Sequence, residues 1–324
     1  MSRSTEAVDE LVARARDGES RAVARLVSMV EDGSPQLREV MAALTPHAGH
    51  AQVVGITGSP GVGKSTITNG LVTELRKAGK RVGVLAVDPS SPFSGGALLG
   101  DRVRMQDHAT DPGVYIRSMA SRGHLGGLSW TTPQALRVLD AAGCDVVIVE
   151  TVGVGQSEVE IAGLADTTMV LMAPGLGDGI QAAKAGILEI GDVYVVNKAD
   201  RDGAEQVRRE LRSSIALSER AEGAWKPPIV LTVAQSGRGL DELVQELDRH
   251  RAWLEESGEL LRRRTRRARE EIEAIAVASL RDRWENASGA RLSGGDLDAL
   301  AEAVVAGAKD PYAAADELVA SSTD

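Results

Sequence analysis

The residues best equipped to do chemistry are Lys64 and Ser65, at the end of the run Gly58-Ser59-Pro60-Gly61-Val62-Gly63-Lys64-Ser65, with Thr66 after them. Glycines in such a run let the backbone curl until several N–H groups face inward, which is how a loop grips a phosphate chain. The Lys64 ammonium would reach the β- and γ-phosphates, and the Ser65 hydroxyl would ligate Mg²⁺. A second stretch, Asp145-Val146-Val147-Ile148-Val149-Glu150-Thr151-Val152-Gly153, is an apolar run ending in an acid, with a glycine just beyond. That order lets the Glu150 carboxylate serve Mg²⁺, usually through water, while the Gly153 N–H touches the γ-phosphate. A third stretch, Asn197-Lys198-Ala199-Asp200, is an NKxD pattern. The Asp200 carboxylate would accept hydrogen bonds from guanine N1 and the exocyclic amine, while Asn197 and Lys198 brace base and loop. Adenine has neither donor at the matching place, so GTP and GDP are the expected nucleotides. Ser236, Gly237 and Arg238, inside Gln235–Gly239, offer groups to the base from the other side.

These residues need a scaffold of alternating strands and helices. Val53–Thr57 reads as a strand feeding the loop, and the apolar pattern through Leu71 and Leu75 as the helix behind it, stopped near Gly79. Arg81–Val87, Val114–Arg117, Asp145–Val149, Thr168–Ala173, Val193–Val196 and Ile229–Val233 are further strands, several of them continuously apolar as in parallel sheets covered on both faces. Asp88 ends the second of these, where open α/β sheets bind ligands. The expected fold is α/β, a P-loop NTPase with a doubly wound, mostly parallel sheet and helical extensions at both ends. Residues 1–48 read as two short amphipathic helices docked on the next domain, 49–248 as the GTP-binding domain, and 249–324 as a helical dimerisation segment. Arg262–Arg267 reads as a solvated helix face or subunit contact, because acids follow it and aromatics are absent from it. His124 reads as a loop residue.

Composition narrows the class. A net charge of -10 disfavours nucleic acid as a general partner. No apolar run approaches the length that crosses a bilayer, and the first thirty residues lack a signal-peptide core, so a cytoplasmic protein without a membrane association is expected. The one cysteine, Cys144, precedes a buried strand and reads as inert packing. Lysine is the minor cation, seven against thirty arginines, yet two of the seven fall in the nucleotide motifs.

Beyond these separate motifs, the chain resembles the cobalamin-linked GTPases associated with methylmalonyl-CoA mutase, earlier labelled arginine/ornithine transport kinases. The resemblance is carried by GSPGVGKST (58–66), VDPSSPFSGGALLGDRVRM (87–105), ETVGVGQSE (150–158), GDGIQAAKAGILEIGD (177–192), NKAD (197–200) and DPYAAADEL (310–318). It implies a homodimeric G-protein chaperone that binds the mutase, gates delivery of adenosylcobalamin and protects the holoenzyme. It also implies that Asp88, Asp101 and Glu150 surround the metal, that 94–105, 153–158 and 177–184 respond to nucleotide, and that Gln181 and Lys184 couple to the partner.

In many small GTPases a glutamine directly after the glycine of the acidic motif orients the attacking water, whereas Val154 follows Gly153 here and Gln156 comes later. Slow basal hydrolysis is therefore expected, with the partner accelerating it by reordering a loop or positioning Arg102, Arg104 or Lys184. Three alternatives differ in chemistry: a kinase passing the γ-phosphate to a metabolite or protein, a nickel-delivery GTPase, and a module that holds nucleotide without turnover. Five scattered histidines and one cysteine supply no metal-delivery cluster.

Overall fold

QVVGIT, VVIVET and TTMVLM are buried at every position, which a strand sustains only when both faces are covered. In the computed structural model, which describes residues 3–89, 105–108, 110–121, 131–151, 157–175, 188–217, 223–287 and 294–321, these runs are central strands of one sheet. The strands are β1 Gln52–Thr57, β2 Val82–Pro89, β3 Val114–Ser121, β4 Val146–Thr151, β5 Thr167–Met172, β6 Val193–Val196 and β7 Ile229–Leu231. Their order is β3-β2-β4-β1-β5-β6-β7, and every neighbouring pair is parallel. From β1 the chain runs first to β2 on one side and later to β5 on the other. The carboxyl end of β1 is thus a point where connections diverge, the place where such sheets hold ligands.

Helices cover both faces. On one lie α1 Arg3–Arg16, α2 Ser20–Glu31, α3 Leu37–Leu44, α5 Thr132–Ala141 and α6 Ser157–Leu164, sharing a core with Leu85, Val87, Met119, Val147 and Val149. On the other, α4 Lys64–Lys77 and α8 Leu240–Glu256 pack on Val54, Ile56, Val84 and Ile148. Helix α7 Ala204–Leu217 covers β6 and β7. The amino-terminal segment holds three α-helices where two were expected. Pro35 follows a turn at Gly33, where φ is 58°, and the chain resumes as a short third helix that buries Val40 and Leu44. Cys144 is buried, and burial pushes its thiol up to about 12.

The arginine run departs from expectation. It lies in α9 Glu259–Ala287, and two of its members turn to the amino ends of the strands instead of solvent. Arg263 donates to both carboxylate oxygens of Asp192, at 2.8 and 2.9 Å, and Arg264 donates to both of Asp166, at 2.7 and 3.2 Å. Each acid also accepts a strand N–H, Asp192 from Thr168 at 2.8 Å and Asp166 from Val53 at 3.0 Å. Burial works against both guanidinium charges, but the bonds and charges of the two acids outweigh it and hold both pKa values above the usual arginine range. Acids buried at the amino ends of the strands need counter-charge, and Arg263 and Arg264 supply it.

The chain divides into two compact units, Met1–Thr265 and Arg266–Asp324. The second contains the rest of α9, then α10 Gly294–Val305 and α11 Pro311–Ser321. Within the carboxyl-terminal stretch expected to be helical, α10 and α11 part at Gly307, where φ is 70°. Asp310 starts α11 by accepting the N–H groups of Tyr312 and Ala313 at 2.9 and 3.1 Å, with Pro311 at the first helical position. No helix among the described residues is long and apolar enough to cross a membrane.

Candidate nucleotide site

The loop from Gly58 to Gly63 joins β1 to α4, and its shape depends on residues without side chains. Gly58 has φ 140°, and a Cβ there would stand 2.3 Å from the Leu171 carbonyl oxygen of β5. Gly63 has φ 99°, and its Cβ would stand 2.4 Å from Asn197 Nδ2. Gly61, at φ 81°, faces open space. No side chain caps the start of α4. The first turn of a helix leaves N–H groups without intrahelical partners, so this terminus presents donors and a positive dipole end to an anion.

Lys64 folds back along the loop, its Nζ donating to the carbonyls of Gly58 at 2.6 Å and Ser59 at 3.3 Å. The side chain is buried, so its charge sits within the loop. Glu150, 3% exposed, faces α4 from the end of β4, beside Ile56 of β1 and Ala86 of β2. Ser65 Oγ donates to its Oε1 at 2.7 Å, and Thr68 Oγ1 donates to its Oε2 at 2.8 Å. The structure thus brings Lys64, Ser65 and Glu150 together at one end of the sheet. A hydroxyl and a carboxylate are the hard oxygen donors that suit Mg²⁺, which needs only one or two carboxylates when phosphates complete its shell.

The NKxD motif is tied to the same loop. Asn197, buried after β6, donates from Nδ2 to the Val62 carbonyl at 2.9 Å. Its Oδ1 accepts from Thr232 Oγ1 and from the Ala234 N–H, both at 3.2 Å. Lys198, a non-glycine residue at φ 56°, donates to the Gly61 carbonyl at 2.7 Å. Asp200 is exposed, as are Ser236, Gly237 and Arg238. Val233 and Arg238 form an antiparallel bridge, which shortens the expected strand to Ile229–Leu231 and turns the chain back at Gly237, where φ is 76°. Pro60 and Thr66 are exposed on the loop and the start of α4.

Asp88 stands at the end of β2, its backbone in register with Ala120. Asp101, Gly153 and Gln156 lie outside the described residues, as do Arg102, Arg104, His124, Gln181 and Lys184. Sequence reasoning missed Thr68 and Thr232. Thr68 had a usable signal, because it follows Ser65 by three places and so shares its helix face. Thr232 had none, since only the fold brings it to Asn197. A separate cavity of about 700 Å³ lies elsewhere: Arg16, His50, Gln52 and Asp145 line it at the amino ends of the strands.

Comparisons with known proteins agree with this geometry. A family model described as methylmalonyl Co-A mutase-associated GTPase MeaB matches residues 23–289. A putative GTPase of Pyrococcus abyssi is 48% identical over 314 residues, covering 96% of each chain. The mouse protein named methylmalonic aciduria type A homolog, mitochondrial, is 39% identical over 214 residues, 65% of this chain and 52% of its own. Among solved structures, one titled LAO/AO transport system kinase is 26% identical, with a TM-score of 0.73 and coverage of 100% of this chain and 99% of that one. A parallel sheet with a glycine loop at its switch point, an NKxD motif bonded to that loop and a match over most of the sequence together show that this chain is a GTPase of the methylmalonyl-CoA mutase-associated MeaB family.

Proposed function

We propose that the protein is a GTP-hydrolysing chaperone of an adenosylcobalamin-dependent methylmalonyl-CoA mutase, gating cofactor loading and protecting the holoenzyme. The observation that carries the nucleotide part is the pair of bonds from Asn197 and Lys198 to the carbonyls of Val62 and Gly61. They make base recognition and phosphate grip parts of one body, so guanine identity and γ-phosphate state are read together. In this reading Asp200 accepts from guanine, Ser236, Gly237 and Arg238 flank the base, and residues 58–66 with Gly153 hold the phosphates. Lys64 counters charge on the β/γ oxygens, and Gln156 is the candidate for orienting water. Ser65 and Glu150, with Asp88 and Asp101, would hold Mg²⁺, which supplies charge neutralisation at the phosphates. The mutase as partner follows from the family description.

A homodimer is part of the proposal. In the second unit Ile272, Val277, Val305 and Tyr312 are exposed apolar side chains, surface that a second copy could cover. A cytoplasmic site of action accords with a single buried thiol. Calorimetry with Mg²⁺ tests the base: GTP and GDP should bind and ATP should not, and Asp200→Asn should narrow the gap by about tenfold or more. Single-turnover hydrolysis of labelled GTP, with and without mutase, tests the role. Slow release of free phosphate that the mutase accelerates supports it; equal fast rates oppose slow basal turnover, and label on an acceptor would make the protein a kinase.

A further inference from the structure

Helix α4 contains three threonines, Thr66, Thr68 and Thr73, and the hydroxyls of the last two lie over the preceding turn. Thr73 bonds back to the Asn69 carbonyl at 3.0 Å and also lies 3.2 Å from His108 Nε2. Thr68 differs. Its Oγ1 lies 3.1 Å from the Lys64 carbonyl but 2.8 Å from Glu150 Oε2, and a hydroxyl has one proton to give. The carboxylate is the nearer acceptor and the charged one, so the proton goes there. Both groups are withdrawn from water, Thr68 at 0% exposure and Glu150 at 3%, and a buried carboxylate holds its charge only where donors face its oxygens.

We propose that Thr68 is a positioning residue for Glu150, fixing the rotation of the carboxylate plane from its Oε2 side while Ser65 engages Oε1. The proposal deepens the GTPase reading and rests on it. Ser65 lies in the first turn of α4, next to the loop, and would serve the metal as well as the acid. Thr68 sits one turn further into the core, on the same face of α4, where it can hold the acid throughout. Loss of its hydroxyl takes one donor from Oε2 and loosens the hold on the carboxylate plane from that side. The cost then falls on Mg²⁺, with the base and the loop unchanged.

The test is release of a fluorescent GDP analogue from the full-length protein, followed while Mg²⁺ is titrated and again in excess EDTA. In the wild type, Mg²⁺ should slow release with a measurable half-saturation. Thr68→Val should raise that half-saturation about tenfold, the worth of one hydrogen bond to a charged group, and leave the EDTA rate within about twofold. Thr68→Ser, which keeps the hydroxyl, should restore the wild-type value. In a Glu150→Gln background Thr68→Val should add no further shift. Should the valine variant melt early, alanine and serine at the same position give the same contrast. Wild-type half-saturation in the valine or alanine variant, or failure of serine to restore it, overturns the role of Thr68 while the nucleotide reading stands. A wild type that retains the analogue equally with and without Mg²⁺ overturns the metal assignment and this inference together; one that does not bind it at all removes the GTPase reading itself.

Discussion

Gly58 is the residue on which the loop's path depends most visibly. Its φ of 140° is a conformation that side-chain-bearing residues rarely adopt, and the obstacle at 2.3 Å is a backbone carbonyl of β5, which cannot swing aside as a flexible side chain could. Gly58→Ala should therefore cost about 2–3 kcal/mol of stability and weaken nucleotide binding at once. Urea denaturation and GDP titration on the same variant check this; near-wild-type values in both would show that the loop can re-route. At this scale the sequence was informative wherever a residue's chemistry depends on near neighbours. Lys64, Ser65, Asn197 and Lys198 carry the motifs that identify them, and all four make bonds at the site. Thr232 was invisible because its partner, Asn197, is 35 positions away and the bond arises only from strand pairing.

At the scale of elements, the junction of α8 with the starts of β5 and β6 has a pH dependence built into it. His250 of α8 is fully buried, with Trp225 and Trp253 beside its ring and Thr167 Oγ1 2.9 Å from Nδ1. Burial pushes its pKa down to about 4; Arg263 adds to the shift, and Asp192 and Asp166 oppose it. The folded protein thus keeps the ring neutral while the unfolded chain protonates it near pH 6.5. Below that pH the unfolded state binds the extra proton, so stability falls as pH drops from about 6.5 through about 4, by up to roughly 3 kcal/mol, and is unaffected by this group above 7. His250→Gln should flatten that limb of a denaturation-midpoint profile, and parallel profiles for the two proteins would contradict the assignment. Strands were legible because a continuous apolar run admits few other readings. The arginine run has a solvated face at Arg262 and Arg266, as read, but Arg263 and Arg264 were misread because what decides their role, Asp192 and Asp166, lies about seventy and about a hundred residues upstream. The helix at Leu37–Leu44 was missed because only two of its eight residues are buried, too few to give a clear period.

Over the molecule as a whole, the order of strands is what sequence could not supply. Alternating runs announce a doubly wound sheet, but nothing local says that β4 inserts between β2 and β1, or that Glu150 thereby comes to lie beside Ile56. Nor did the motifs reveal how fully α1, α2 and α3 belong to the nucleotide-binding unit. Val23, Leu26, Val27 and Val40 share one core with Leu85, Met119 and Val147. A practical consequence follows for anyone shortening the gene. A product beginning at residue 49 would keep every motif that identifies a GTPase, yet it would lack the helices that close over α5 and complete that core. It should emerge as sticky material that lights up a hydrophobic dye and sediments during purification, and a well-behaved, nucleotide-competent fragment would mean that those helices are ornament after all.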